Sequence, residues 1–325
     1  LLLLGINRDR LQVSQMQNLT TAPFGSWQSS LTAEAIVHDS VRLGQIVVDG
    51  DDVYWSELRP SQKGRSTIVK RDGEGFREVL PVEFNARSRA HEYGGGAFCV
   101  SEGDIFFCND ADQRLYRLRE GENPEPITPE GPYRYADLVV DRLHDRLICV
   151  REDHSADGEP QNAIIAAQFE GDVEVLADGF DFYAAPKISK GGSHIAWIQW
   201  RHPHMPWDET ELVLAKVDGN GAIVASEQVA GGNNIAIFQP EFAADGSLFY
   251  VSDVSGWWNI YRYDGKSEAC VYSVDAEFGL PHWVFGMRTY DFNGPTRLAV
   301  TFQVDGISKL AEIDIYSNSC RTIPV

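Results

Sequence analysis

The stretch that decides the fold is ADGSLFYVSDVSGWWNIYRYDG, residues 244–265. An Asp-Gly turn leads into the strand-like run LFYVS, and a second run, NIYRY, ends at another Asp-Gly pair. Short runs rich in aromatic and β-branched residues between such turn pairs are typical of adjacent antiparallel strands. This stretch therefore predicts two neighbouring strands of one antiparallel sheet.

The same two-strand unit recurs six times along the chain. Its first strand is centred on residues that are 52, 42, 48, 53 and 50 positions apart: Tyr54, Phe106, Ile148, Ala196, Phe249 and Ala299. A repeat of roughly 40 to 50 residues built from short strands is typical of propeller blades, each a four-stranded antiparallel sheet. Helical solenoids repeat at a similar length, but the helical periodicity that they require is absent. The pattern therefore predicts an all-β fold.

The repeats predict one β-propeller of four-stranded antiparallel blades rather than two globular domains. We expect an N-terminal segment at 1–40, with a short helix at 31–37, and a propeller at 41–325. Six blades are recognisable, at about 41–80, 90–128, 135–178, 183–230, 236–275 and 282–318. Because the outermost blades of a propeller must meet or leave strand edges unpaired, we expect a seventh blade beyond residue 325 or closure by the termini.

Composition and charge exclude several classes of protein. The net charge of −20 repels nucleic-acid phosphates and anionic membrane surfaces, so we expect neither as a partner. The apolar opening Leu1–Leu4 is too short for a signal peptide or a membrane span. Five cysteines without CxxC spacing lie mostly in apolar runs, which favours buried reduced thiols in a cytoplasmic protein.

The sequence carries no motif for nucleophilic catalysis by a serine. The GxSxG pentapeptide of serine hydrolases is absent, and the nearest approach, GGSHI at 191–195, lacks the second glycine. The chain alone is therefore predicted to be catalytically inactive.

Two segments contain candidate metal ligands. The first, RHPHMPWD, offers His202, His204 and Asp208, but its two prolines favour a shaped loop and no further ligand lies nearby. The second, the acidic loop REDHSADGEPQN from residue 151, lacks the ligand pattern of a calcium loop. We therefore expect neither a bound metal nor a cofactor.

The stretch SRAHEYGGGAF, residues 88–98, sets three glycines against a charged cluster. A phosphate-binding glycine loop precedes a helix, whereas the residues after this run, 97–100, are strand-like. The stretch therefore places Arg89, His91 and Glu92 just before a strand, next to glycine backbone that carries no side chains.

Two adjacent tryptophans, Trp257 and Trp258, follow a turn in the fifth repeat. Neighbouring side chains on a strand point to opposite faces, so at most one of the two packs in the blade core. The other is expected to meet a neighbouring blade, a ligand or a partner.

Six stretches from residue 21 to residue 265 resemble, in family order, the N-terminal propeller of the prolyl oligopeptidase family of serine peptidases. They are TAPFGSWQSSLTAEAI, YWSELRPSQKGRSTIV, SRAHEYGGGAF, REDHSADGEPQNAI, WRHPHMPWDETELVLAKV and PEFAADGSLFYVSDVSGWWNIYRYD. The closest branch is the dipeptidyl aminopeptidase and acylaminoacyl peptidase group. The resemblance implies a propeller of seven or eight blades, followed by an α/β-hydrolase domain that carries the catalytic serine, aspartate and histidine. That hydrolase domain is absent from this sequence, so no catalytic residue is assigned.

The resemblance also implies a function for the propeller. In such enzymes it covers the active site, admits short peptides and excludes folded proteins. The expected partners are therefore the α/β-hydrolase domain, normally in the same chain, and a short peptide substrate.

Cleavage near the amino terminus of a peptide requires an anionic anchor for the ammonium group. Glu92 is the leading candidate for this anchor. Glu57 and Glu152 are rivals, because carboxylates in comparable blade positions could face the same central cavity. The candidate substrate-binding set is completed by Arg89, His91 and Trp257.

Other interpretations remain open at this point. Arg89 or Arg59 could pair with Glu92 simply to fasten blades together. At the level of function, the chain could be a free-standing propeller that binds a protein or peptide, or a propeller enzyme with a metal in its central tunnel.

Overall fold

The computed structural model describes residues 21–27, 29, 31–37, 40–73 and 75–324. The apolar opening Leu1–Leu4 lies outside the described residues. The chain divides into a unit that ends at Ser40 and a unit that starts at Val41. None of the described helices has the length and apolar character that crossing a membrane requires.

The described part of the first unit contains the helix α1 (Ala33–Val37). The hydroxyl of Thr32 accepts a hydrogen bond from the N–H of Ala35 at 3.0 Å, which satisfies one of the free donors at the start of the helix. The helix lies inside the stretch 31–37, where the sequence predicts one.

Within the described residues, the second unit contains six four-stranded antiparallel sheets, each built from consecutive strands. Blade 1 contains β1 (Arg42–Asp49), β2 (Asp52–Arg59), β3 (Arg65–Asp72) and β4 (Gly75–Glu78), and blade 2 contains β5 (Phe98–Ser101), β6 (Asp104–Cys108), β7 (Leu115–Leu118) and β8 (Glu125–Pro126). Blade 3 contains β9 (Tyr133–Asp141), β10 (Arg146–Asp153), β11 (Gln161–Gln168) and β12 (Val173–Ala177), and blade 4 contains β13 (Phe182–Ile188), β14 (His194–Trp200), β15 (Glu211–Val217) and β16 (Ile223–Gly231). Blade 5 contains β17 (Ile237–Phe242), β18 (Leu248–Ser252), β19 (Asn259–Tyr263) and β20 (Glu268–Cys270), and blade 6 contains β21 (Tyr290–Phe292), β22 (Arg297–Val304), β23 (Ile307–Asp314) and β24 (Ser319–Ile323). Each blade therefore folds from one continuous stretch of sequence.

The first strands of the blades lie around a central axis. Strand β5 neighbours both β1 and β9, and β13 neighbours both β9 and β17. The predicted all-β propeller with six recognisable blades is confirmed. Blade 2 starts later than the sequence suggests, at Phe98 rather than near residue 90, because the glycine stretch forms a loop before β5.

Most of the hydrophobic core lies between the blades. The middle strands β10 and β14 are buried almost from end to end, because neighbouring blades cover both of their faces. The outer strands β4 and β16 are largely exposed. Buried apolar clusters join blade 1 to blade 2, blade 2 to blade 3, blade 3 to blades 4 and 5, and blade 5 to blade 6.

Blades 1 and 6 differ from the other pairs of neighbouring blades, because no buried apolar cluster joins them in the described part of the chain. A cleft of about 770 Å³ lies between them. On its blade 1 side, Ile46 and Val48 are 62% and 65% exposed, although both are apolar strand residues. The six described blades therefore leave one pair of sheet faces unpacked.

All five cysteines are free thiols. Cys99, Cys108 and Cys149 are buried, whereas Cys270 and Cys320 are only partly buried. Burial raises the pKa of Cys99 and of Cys108 to about 12, so these two thiols stay protonated at neutral pH.

Candidate functional site

The three glycines of the stretch 88–98 lie in the loop that leads into β5. Gly94, Gly95 and Gly96 have φ angles of 67°, 97° and 52°, in the left-handed region that favours glycine. A Cβ atom on Gly95 would lie 2.2 Å from the carbonyl oxygen of Phe285, and one on Gly94 would lie 2.0 Å from that of Ser88. Glycine is therefore required here both by backbone conformation and by close approach of other chain segments.

This loop connects blades that are distant in sequence. The N–H of Phe285 donates to the carbonyl of Gly94 at 2.9 Å, and Gly95 pairs with Phe285 as a parallel bridge. The N–H of Asp137 donates to the carbonyl of Gly96, also at 2.9 Å. We call the contact of 94–96 with 285–286 the glycine strap. It ties the loop before blade 2 to the segment before blade 6, while the hydrogen bond from Asp137 to Gly96 ties the same loop to blade 3.

A buried carboxylate lies directly beneath the loop. Glu152, near the end of β10, is 3% exposed, and its Oε1 accepts a hydrogen bond from the backbone N–H of His91 at 2.8 Å. Its Oε2 lies 3.2 Å from Nε2 of His154 and 3.8 Å from the guanidinium of Arg134. The carboxylate is thus held in place by groups from two different loops and a strand.

Glu92 shares the same arginine. The Nη1 atom of Arg134 lies 2.6 Å from Oε1 of Glu92 and also donates to the carbonyl of Arg89 at 3.0 Å. The guanidinium of Arg134 lowers the pKa of Glu92, whose side chain is 78% exposed. Two carboxylates therefore surround one guanidinium. We call Glu92, Glu152 and Arg134 the carboxylate cluster; these three side chains together carry one surplus negative charge.

The ring of His91 lies among aromatic rings, with its Nε2 atom 4.0 Å from Oε1 of Glu152. Its centroid lies 4.6 Å from that of Phe285, 5.4 Å from that of Phe182 and 6.0 Å from that of Trp200. Burial, and to a lesser extent the neighbouring His282, lowers the pKa of His91 to about 4. The imidazole is therefore neutral at pH 7 and packs as an aromatic ring.

An exposed group of aromatic rings continues from this loop. Trp283 packs against Trp207 with ring centroids 4.5 Å apart, and against Tyr93 with centroids 6.0 Å apart. Tyr93 is 69% exposed and Trp283 is 53% exposed. We call Tyr93, Trp207 and Trp283 the aromatic platform. The sequence did not indicate that these rings come together, although Tyr93 and Trp207 lie inside stretches that the sequence singles out.

The first strands of the blades surround a central tunnel with a cavity of about 410 Å³. Its wall carries an ion-pair network in which Glu241 lies 2.8 Å from Lys187 and 3.1 Å from Arg288. None of the three candidate anchors Glu57, Glu92 and Glu152 lines this cavity. The carboxylate cluster is therefore distinct from the tunnel wall.

Comparison with solved structures shows that the chain is similar in sequence and fold to two peptidases. It is 37% identical to a puromycin-hydrolysing peptidase of Mycobacterium tuberculosis, with a TM-score of 0.85, over 94% of this chain and 50% of that one. It is 31% identical to a puromycin hydrolase, with a TM-score of 0.86, over the same shares of the two chains. The chain is homologous to one half of these peptidases. It spans about half the length of these relatives, and within that half the fold is a propeller.

Other comparisons add less to this assignment. A prolyl endopeptidase structure, 13% identical with a TM-score of 0.63, covers 88% of this chain and 42% of its own, and it supports the fold alone. No family model matches the chain. No curated protein matches it either.

In this propeller, the other predicted site residues lie apart from the carboxylate cluster. Glu57 accepts hydrogen bonds from Arg59 at 2.8 Å and from the indole of Trp55 at 2.9 Å, within blade 1. Trp257 is 39% exposed before β19, while Trp258 joins the core cluster of blades 5 and 6. In the described part of the chain, no hydrogen bond or ion pair joins Glu57 or Trp257 to the carboxylate cluster.

The arginine that pairs with Glu92 also differs from the two that the sequence suggests. Arg89 lies 3.3 Å from Asp110, and Arg59 pairs with Glu57 and Glu78. The partner of Glu92 is Arg134, from the first strand of blade 3.

The candidate metal ligands do not assemble into a site. Asp208 accepts a hydrogen bond from the N–H of Met205 at 2.9 Å, which closes a turn after His202 and His204. Among the residues that the structure describes, no group of three or more His, Cys, Asp or Glu side chains is arranged to hold a metal ion.

Proposed function

We propose that this chain is the substrate-gating propeller of a serine peptidase that hydrolyses short peptides from their amino end. The observation that carries the proposal is the 37% identity, over 94% of the chain, to a peptidase that hydrolyses puromycin. The sequence has no GxSxG motif, so the nucleophile would come from an α/β-hydrolase domain, normally in the same chain. A cytoplasmic location is part of the proposal, because all five thiols are free.

The dimensions of the propeller support a gating role. The tunnel cavity, at about 410 Å³, falls within the range of roughly 300 to 1,000 Å³ that is typical of small-ligand pockets. The glycine strap also joins the loop before blade 2 to the segment before blade 6 through backbone contacts. A cavity of this volume can hold a short peptide segment but not a folded domain.

The carboxylate cluster is suited to hold the ammonium group of the substrate. Arg134 can neutralise only one of the two carboxylates that surround it, and an ammonium group would neutralise the other. Glu152 takes the leading role because its carboxylate is buried, and a charge-assisted hydrogen bond gains strength where water is excluded. Glu92, exposed and paired with Arg134, supplies the outer part of the same anchor.

The anchor is tested in the full-length protein that contains this chain. We expect Glu152→Gln to lower kcat/KM about 10- to 100-fold for a peptide p-nitroanilide with a free amino group, since a charged hydrogen bond contributes about 1.5–3 kcal/mol. The acetylated substrate should lose much less activity. Glu92→Gln should show a smaller loss with the same selectivity.

Glu57→Gln is the matched control, because Glu57 is also a strand-end glutamate paired with an arginine but lies in blade 1. It should leave the ratio of free to acetylated substrates unchanged. Equal losses for both substrates in Glu152→Gln would contradict the anchor. Failure of the full-length protein to hydrolyse any short peptide would overturn the peptidase proposal in favour of a free-standing binding propeller.

A further inference from the structure

The wall of the central tunnel carries more positive than negative charge. Three cationic side chains, Lys187, Lys190 and Arg288, line the cavity of about 410 Å³, against two carboxylates, Asp137 and Glu241. The chain as a whole has a net charge of −20. Positive charge is therefore concentrated inside a strongly acidic protein. We call Lys187, Lys190 and Arg288 the basic wall.

Glu241 cannot neutralise both of the cations that surround it. Its Oε1 lies 2.8 Å from Nζ of Lys187 and 3.1 Å from Nη2 of Arg288, so a single carboxylate oxygen is shared between two positive charges. This buried oxygen nevertheless accepts no well-aligned hydrogen bond from the residues that the structure describes. Hydrogen-bond donors of both cations therefore remain for an anion placed beside them.

The other titratable groups near the basic wall do not cancel its charge. Asp137 uses one carboxylate oxygen to accept the N–H of Ala185 at 2.7 Å. Asp291 also lies 3.1 Å from Arg288, but it is outside the cavity wall and its side chain is 68% exposed, so water and salt screen it. Burial lowers the pKa of His282, which is therefore neutral at pH 7.

We propose that the basic wall binds the carboxyl-terminal carboxylate of a short peptide inside the tunnel. An ammonium and a guanidinium side by side suit the two oxygens of a carboxylate, because each can form a charge-assisted hydrogen bond with it. The cavity also has room for the last residues of the peptide.

The inference rests on the proposed gating function, because it makes the tunnel selective for peptides with a free carboxyl end. The carboxylate cluster and the basic wall then recognise opposite ends of peptides through opposite charges. None of the residues of the carboxylate cluster lines the tunnel cavity, so the two sites can be tested separately.

Binding is measured by calorimetry on the full-length protein with N-acetyl-triglycine and with its carboxyl-terminal amide. Acetylation removes the ammonium group from both probes, so neither engages the carboxylate cluster and the readout does not depend on cleavage. The acid should bind at least about tenfold more tightly than the amide, since hydrogen bonds between charged groups are the stronger ones. Lys187→Gln should reduce this ratio to about threefold or less.

Glu241→Gln should change the affinity in the opposite direction. Because Glu241 competes with the ligand for Lys187 and Arg288, its neutralisation should strengthen binding of the acid by about threefold or more. A purely structural role for this ion-pair network predicts weaker or unchanged binding instead, and either result would contradict the proposal.

Lys70→Gln is the matched control. Lys70 is also a largely buried lysine on a strand, 2.7 Å from the carboxylate of Asp52, but it lies in blade 1 and does not line the tunnel cavity. The substitution should leave the ratio of acid to amide affinity unchanged. Lys190→Gln provides a second variant at the exposed edge of the basic wall in case Lys187→Gln fails to fold.

Equal affinities for the acid and the amide, or no measurable binding of either, would overturn the proposal. An unchanged ratio in both Lys187→Gln and Lys190→Gln would do the same. Acetate separates a peptide from a free anion: if acetate alone binds as tightly as N-acetyl-triglycine, the site takes small carboxylates and the assignment to a peptide is wrong.

The same measurements separate this site from the peptidase role. Selective binding of the acid by a protein that hydrolyses no peptide would support the basic wall and overturn the peptidase role alone. Peptide hydrolysis by a protein that binds acid and amide equally would overturn the basic wall alone.

Discussion

At the scale of single residues, Gly95 shows how one missing side chain holds distant parts of the propeller together. Its φ of 97° is unfavourable for any other residue, and the carbonyl of Phe285 occupies the space that a Cβ atom would need. The function of the neighbouring site depends on this fit, because the same loop carries His91, Glu92 and Tyr93.

We expect Gly95→Ala to lower the free energy of unfolding by about 2–4 kcal/mol, combining a left-handed backbone penalty with a steric clash. Gly103→Ala is the matched control, since Gly103 has a φ of 82° but no atom within 4 Å of the position that a Cβ atom would take. It should cost only about 1–2 kcal/mol. Urea unfolding of both variants measures the difference, and equal losses would show that the close approach to Phe285 contributes nothing.

Glu92 and Glu152 illustrate what residue types alone predicted at the site. The need for a carboxylate near an amino terminus makes both residues candidates in the sequence, and the structure brings them to one arginine. The choice of Glu92 over Glu152 depended on a buried environment that the structure gives to Glu152 instead. Burial of a strand-end residue depends on which loop covers it, and local sequence does not contain that information.

At the scale of elements, blades 3 and 4 are joined by a hydrogen bond from a buried arginine as well as by apolar packing. Arg146, at the start of β10, is 1% exposed; its Nε donates to Asp141 at 2.9 Å and its Nη2 donates to the carbonyl of Gly221 at 2.7 Å. Gly221 lies in the turn between the two outer strands of blade 4. One guanidinium thus satisfies groups from two blades.

Arg146→Met should lower the free energy of unfolding by about 3–5 kcal/mol, because Asp141 is left as a buried charge without its guanidinium partner. In the double variant Arg146→Met/Asp141→Leu the buried charge is gone, so we expect it to be more stable than Arg146→Met. Denaturant titration of the two variants gives the comparison. A double variant less stable than the single one would contradict this account of the interface.

At the scale of the whole molecule, the cleft between blades 1 and 6 is the main exception to the packing of the ring. Each of the other neighbouring pairs of blades shares a buried apolar cluster, whereas Ile46 and Val48 remain exposed at the cleft. Exposed apolar strand faces of this kind bind apolar dyes and promote association.

The 325-residue chain should therefore bind the dye ANS, and Ile46→Thr/Val48→Thr should reduce its fluorescence at least twofold. The change in the free energy of unfolding should stay within about 0.5 kcal/mol, as for surface substitutions generally. Val175→Thr, on the exposed outer strand of blade 3, is the control and should leave ANS fluorescence unchanged. Undiminished fluorescence in the double variant would show that the dye binds elsewhere.

The sequence by itself determined the blades, because strand periodicity and Asp-Gly turns act between residues that are close along the chain. Runs such as LFYVS and NIYRY therefore predicted both the strands and their repetition as a propeller. The tertiary structure alone decided which side chains meet: Glu92 pairs with Arg134 across 42 residues, and Glu152 reaches the N–H of His91 across 61. These contacts depend on how whole sheets pack around the axis, and the energy of that packing is spread over many apolar residues rather than encoded in any single motif.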